Sequence, residues 1–245
     1  MSFRRGFTLI ETLIAVTLVA LLSTAMLVSI RVALNAQTSA NTRLMSNRRV
    51  VGAQNALEQE LNGFVPARAA WTTENGSVQR GPFFGGDEQN LHLVSSFSLN
   101  AANRGLPQVL DFRIIPGENG EGARLIVNEA PYHGVFSAQN RVAGEQRTQD
   151  GQSFIQFFPV EPGPGSFVLA DRLAYCRFVY EALVRVPQPH TEWTNAWTSS
   201  DWPVAIRVEM APLDSSAARL HPMTVTAELH ASRAFNREYH DNDSL

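Results

Sequence analysis

The sequence predicts an α+β protein in which a long N-terminal α-helix, membrane-spanning in its first half, packs its second half on an antiparallel β-sheet head. Three observations carry that prediction. Residues 7–30 form an apolar run with Glu11 as the sole ionisable side chain and no Gly or Pro. Residues 31–61 continue in Ala, Gln, Asn, Leu and Arg, with Gly52 as the only breaker. From residue 63 onward the pattern changes to alternating apolar and polar residues punctuated by Gly and Pro.

The first element follows from length and charge. At about 1.5 Å per residue, residues 7–30 make roughly 36 Å of helix, enough to cross a hydrocarbon core of about 30 Å. Arg4 and Arg5 precede the run and Arg31 closes it, which favours a cytoplasmic N-terminus and an exported remainder. A cleaved secretory signal with Ser23-Thr24-Ala25 as its cleavage site, a plain signal anchor and a twin-arginine signal at Arg4-Arg5-Gly6-Phe7 compete for this segment. Glu11 weighs against all three. A carboxylate within a spanning helix costs about 2.5–3.5 kcal/mol, so it marks a function and calls for a cationic partner.

Beyond the membrane the helix continues amphipathically, with Leu34, Leu44, Val50, Val51, Leu57, Leu61 and Phe64 at mixed three-, four- and seven-residue steps. Asn62-Gly63 is its stop and Pro66 follows. A helix over residues 7–61 extends roughly 80 Å.

The head spans residues 63–245. Its clearest strands are residues 204–210, with Val204, Ile206, Val208 and Met210 on one face, and residues 223–229, with Thr224, Thr226 and Glu228 outward. They read as an antiparallel pair joined between Pro212 and Pro222. Weaker strands are expected at 91–97, 109–115, 124–127, 154–158 and 174–183, separated by Arg80-Gly81-Pro82, Pro116-Gly117 and Pro162-Gly163-Pro164-Gly165. Residues 238–245 read as a polar tail.

Composition bounds the function. The chain has 245 residues, 44% of them hydrophobic, and a formal net charge of −3, which suits a core-forming protein and offers no basic excess for nucleic acid. Every basic residue is Arg, a mark of genome composition rather than of function. Cys176 is the single cysteine, so no intramolecular disulfide or multi-cysteine metal site forms; among Tyr175, Phe178 and Tyr180 it reads as a buried structural thiol.

No convergent catalytic set stands out. His92, His133, His190, His221, His230 and His240 lack metal-ligand spacing, and His230 reads as solvated on the outer side of its strand. The glycines of 81–86 lack the Lys and Ser/Thr of a phosphate loop. Asp241-Asn242-Asp243 has a calcium-like step, but no later acid follows it in this sequence. Neither enzyme activity, cofactor nor metal is expected. Trp193, Trp197 and Trp202, interleaved with polar residues, read either as a partner-binding patch or as a loop lid over the sheet.

Arg4-Arg5-Gly6-Phe7-Thr8-Leu9-Ile10-Glu11 resembles, position for position, the prepilin processing motif of the type IV pilin superfamily. The resemblance implies a pilin-like fold and a leader of residues 1–6. A prepilin peptidase would cut between Gly6 and Phe7 and N-methylate Phe7, leaving residues 7–62 as transmembrane and spine helix. Gly6 lets a protease approach the backbone. Phe7 gains a cationic amine, and Glu11, one turn inside, would pair with the Phe7 amine of a neighbouring subunit.

Residues 169–180 and 192–208 further resemble the J-type minor pseudopilin of type II secretion, through Leu169-Ala170-Asp171, Phe178, Tyr180, Trp193, Trp197 and Pro203-Val204-Ala205-Ile206-Arg207-Val208. Trp202 stands where that family is expected to carry an aliphatic residue. This likeness implies a non-catalytic subunit anchored in the inner membrane with a periplasmic head. Its partners would be I-type and K-type minor pseudopilins, the major pseudopilin, the inner-membrane assembly platform and the lipid bilayer. A minor pilin of a type IV pilus is the near alternative; a signal-anchored periplasmic enzyme or binding protein is the distant one.

Overall fold

The structure, a computed structural model, describes residues 8–73, 75–148, 151, 153–185, 188–213 and 222–229, and of these the side chains outside 39–50. The chain divides into two compact units, Met1–Arg48 and Arg49–Leu245. Helix α1 (Leu9–Asn62, 54 residues) supplies the described part of the first unit and the opening of the second.

In the first unit, Leu9–Thr38 is long and apolar enough to cross a membrane. All its side chains are exposed, including Leu13, Leu18, Leu22, Leu27 and Leu34. Its hydroxyls turn back onto the helix: Thr12 donates to Leu9 (2.9 Å), Thr17 to Ile14 (2.8 Å) and Ser29 to Ala25 (2.9 Å). Hydroxyls bonded to the helix's own carbonyls are compatible with a solvent that offers no hydrogen bonds.

In the second unit, α1 buries one stripe: Ala53, Leu57, Glu60 and Leu61, at four-, seven- and eight-residue steps. Val51, expected on the stripe, is exposed, and the side chains of Leu44 and Val50 lie outside those described. The helix ends where expected, but the reason is contact. A Cβ on Gly63 would lie 2.4 Å from the Ser95 hydroxyl, so only glycine lets the chain pass the sheet there.

The strands are β1 (Arg68–Thr72), β2 (Val78–Pro82), β3 (Gly85–Gly86), β4 (Asn90–Ser98), β5 (Asn103–Pro116), β6 (Ala123–Pro131), β7 (Val142–Arg147), β8 (Ser153–Phe157), β9 (Phe167–Val184), β10 (His190–Thr194), β11 (Ala205–Pro212) and β12 (Met223–Glu228). The main sheet is antiparallel, in the order β12-β11-β9-β6-β5-β4-β3, with β10 also on β9. Ribbons β1-β2 and β7-β8 stand apart from it. The expected pair at the C-terminal end is present: β11 meets β12 with Val208 opposite Val225. Thr224, Thr226 and Glu228 are exposed, whereas Val225 and Ala227 are buried.

Alternation along the strands creates two cores. Leu91, Leu93, Leu110, Phe112, Leu125, Val127, Phe178, Tyr180, Ile206 and Val208 share one core with Leu57 and Leu61 of the helix. The opposite phase, Val94 and Val109, joins Ala67, Trp71, Phe83, Tyr132, Val142 and Ile155 in the other. The sheet is therefore covered on both faces at β4 and β5.

Arg80-Gly81-Pro82, expected as a separator, is instead the end of β2 opposite β1. Gly81 serves packing, since a Cβ there would come 2.9 Å from the Trp71 ring. The expected strand at 174–183 is the second half of an 18-residue strand. Its first half pairs with β6 and its second with β11, and Arg172 at the junction takes a left-handed φ of 55°. His221, His230, His240, Asp241, Asn242, Asp243 and the expected tail lie outside the described residues.

Candidate functional site

Two regions of the chain carry the expected functional residues, and a third emerges from the fold. The expected cleavage site, Gly6 and Phe7, lies outside the described residues. Glu11 is in the first turn of α1, exposed among Leu9, Ile10, Leu13 and Ile14. Its main-chain N–H donates to Thr8 at 3.1 Å. Among the described residues its carboxylate has no ion pair, so a charge in an otherwise apolar segment is left for a group beyond them.

The three tryptophans do not form one surface. Trp197 is buried: its main-chain N–H donates to Gly86 (2.9 Å), its indole N–H to Asp201 (3.0 Å), and its ring meets Phe84 edge-on at 5.8 Å. Trp202 is half-buried, edge-on to Phe64 at 5.5 Å and to Phe84 at 6.4 Å. These two rings close the helix-side core together with Phe64, Phe84 and Tyr180. Trp193 differs. It sits on β10 opposite Glu181, 38% exposed, with the Arg207 guanidinium 3.8 Å from its ring centroid. That contact is a cation–π pair on the outer side of the sheet.

Cys176 is half-buried against the helix-side core, and burial pushes its thiol up to about 12. It stays a thiol at neutral pH, in keeping with packing rather than nucleophilic chemistry.

Sequence spacing separated His92 from the other chemistry-bearing residues; the sheet register brings it to two of them. His92 on β4, Asp111 on β5 and Asn128 on β6 are direct cross-strand neighbours. All three lie on the face opposite α1. The buried Asp111 carboxylate accepts from His92 Nδ1 at 2.8 Å and from Arg141 Nε at 2.7 Å. The His92 ring stacks on Phe157, nearly parallel, at 4.3 Å. Burial raises the Asp111 carboxyl, but the His92 and Arg141 bonds outweigh it and hold the group below its ordinary value of 3.8. A cavity of about 230 Å³ adjoins these residues. The signal for this site was the shared phase of His92 and Val94 on one strand and of Val109 and Asp111 on the next. Pairing them needs the hairpin register, which spacing alone does not fix.

Residues 1–27 match the family described as the prokaryotic N-terminal methylation motif. That motif, followed by the apolar stretch of α1 and a β-sheet domain, indicates a type IV pilin-like or pseudopilin protein. Such a chain is processed by a prepilin peptidase and assembles with other pilins. No curated protein matches the chain.

Proposed function

We propose that this chain is a minor pseudopilin at the tip of a type II secretion pseudopilus, where it starts fibre assembly and supports export of folded proteins across the outer membrane. The observation that carries the reading is the methylation motif at residues 1–27 running into a helix suited to a membrane. Residues 1–6 are the leader, residues 7–62 the transmembrane and spine helix, and residues 63–245 a periplasmic head. The peptidase cuts between Gly6 and Phe7 and methylates Phe7.

Removal of Arg4 and Arg5 with the leader takes the formal side-chain charge from −3 to −5. It also creates the cation that Glu11 lacks. In the bilayer, Glu11 draws in the Phe7 amine of the next subunit, because an unpaired carboxylate there is costly. The size of the head favours a tip over a shaft, whose subunits pack closely on every side. I-type and K-type minor pseudopilins are its neighbours, with the major pseudopilin behind them and the assembly platform in the inner membrane.

Intact mass and terminal sequencing of membrane-extracted protein test the processing step: a chain beginning at methylated Phe7 is expected, and one beginning at Met1 or near Met26 refutes it. Co-purification tests the assignment to a fibre. Recovery of I- and K-type subunits is expected, whereas recovery of type IV pilus components assigns the chain to a pilus.

A further inference from the structure

Where the last turn of α1 meets the sheet, two carboxylates face each other. Glu129 on β6 lies opposite Leu110 of β5, and Leu110 lies opposite Leu93 of β4. Both leucines belong to the core shared with Leu57 and Leu61, so Glu129 points to the helix side of the sheet. Glu60 comes down from α1 onto the same place and is fully buried. Burial raises its carboxyl, and the charge of Glu129 raises it further. Among the described residues neither carboxylate has an ion pair.

The two groups are served very differently. Glu129 Oε1 accepts from the Ser98 hydroxyl (2.5 Å), and its Oε2 accepts from the N–H groups of Leu99 (2.9 Å) and Asn100 (3.2 Å). A carboxylate has about four acceptor sites, so this one is held rigidly and still has a lone pair to give. Glu60 has both oxygens buried with no hydrogen-bond partner among the described residues. The Ser95 hydroxyl beside it gives its proton to the Glu60 main-chain carbonyl instead. Buried polar atoms are almost always bonded, so two orphaned oxygens on one side chain call for a ligand.

The chemistry of the pair selects that ligand. A proton on Glu60 leaves its O–H and its second oxygen unbonded. A water molecule supplies hydrogen bonds but leaves two like charges together. A cation answers both needs. No cluster of three His, Cys, Asp or Glu occurs among the described residues, so the donors are oxygens: two carboxylates, completed by water. Oxygen donors suit a hard cation and not zinc. Calcium accepts bidentate carboxylates in irregular shells, whereas magnesium demands an octahedron and keeps its waters, which a packed helix–sheet joint resists.

We propose that Glu60 and Glu129 bind a calcium ion that locks the last turn of α1 to β6. The ion enters from the half-buried Glu129 side, next to exposed Asn100. The site lies wholly within the second unit and is independent of which fibre the chain joins.

The test uses the full chain in detergent micelles, stripped with EDTA and titrated with calcium chloride or magnesium chloride. Calorimetry is expected to show saturable calcium binding with a Kd of about 0.1–1 mM, the range of the weaker protein calcium sites. Calcium at about ten times Kd is expected to raise the melting temperature by a few degrees. Magnesium is expected to bind at least about tenfold more weakly. Glu60→Gln and Glu129→Gln each remove one charged ligand while keeping its shape, and each is expected to abolish the calcium response while remaining folded in EDTA. The two variants are read separately, so one that fails to fold leaves the other decisive. No calcium binding, equal stabilisation by magnesium, or calcium binding retained in either folded variant overturns the proposal.

Discussion

The hydroxyl of Ser95 on β4 donates to the main-chain carbonyl of Glu60 at 2.8 Å, joining residues 35 positions apart and tying the last turn of α1 to the sheet. The side chain of the same glutamate is in the opposite condition. Both carboxylate oxygens of Glu60 are buried without a hydrogen-bond partner among the described residues. Burial first, and the neighbouring Glu129 charge second, push its carboxyl from 4.5 up to about 8.

A pH dependence of stability follows. The folded state holds the Glu60 proton through a range in which the unfolded chain has lost it, so the contribution is greatest below pH 4.5 and is lost as pH rises toward 8. The loss is of the order of 3–5 kcal/mol. Denaturant unfolding of the detergent-solubilised chain between pH 5 and 9 measures it, and Glu60→Gln is expected to flatten the slope and stabilise the alkaline end.

Glu11→Val removes the one carboxylate of the membrane-suited segment. The variant is expected to insert and to be trimmed at Gly6 as before, because the cut precedes the change. Fibre formation is expected to fail, for lack of a partner to the Phe7 amine. Electron microscopy of sheared fibres, with immunoblotting of the processed form, reads both outcomes.

Trp197 and Trp193 separate core from surface. Trp197→Ala empties a buried, hydrogen-bonded position and is expected to cost about 3–5 kcal/mol. Trp193→Ala loses an exposed ring and its Arg207 contact, worth about 1 kcal/mol or less. Thermal melts of the two variants distinguish them, and retained partner binding in the second shows whether Trp193 belongs to an interface.

Asp111→Asn strands the Arg141 and His92 donors that now share one carboxylate, with an expected loss of about 3–5 kcal/mol. Because the folded Asp111 carboxyl is held below 3.8, its contribution is present above that value and disappears as pH falls through the folded value. Acid unfolding is therefore expected to lose this component in the variant.

Much of this organisation is written locally. The helix is continuous because 54 residues contain no Pro and only one Gly, and β11 and β12 announce themselves by strict alternation. Elements set by distant contacts are harder to read. Pro107 and Gly105 argue against a strand, yet β5 runs through them at an irregular stretch where the pairing jumps from Ser95–Gln108 to Phe97–Arg104. In β9 the left-handed Arg172 breaks the alternation. The polar neighbours of Trp197 leave a partner patch and a lid over the sheet both open; the structure takes the lid, with the ring buried against Phe84 and the main-chain N–H donated to Gly86. The His92–Asp111 pair depends on register, a property of two strands and not of either alone.

The shared core of Leu57 and Leu61 with Phe178, Tyr180, Ile206 and Val208 also has a temporal meaning. A chain is made from its amino end, so the helix is complete more than a hundred residues before Phe178, Tyr180, Ile206 and Val208 exist. Until β9 and β11 have been delivered, the apolar side of the last helical turns shares its core only with earlier residues such as Leu91, Leu93, Leu110 and Phe112. Sheet closure is then a late, long-range event, and non-local pairing of this kind is slow. Completion of this core therefore waits on the arrival of residues 167–212.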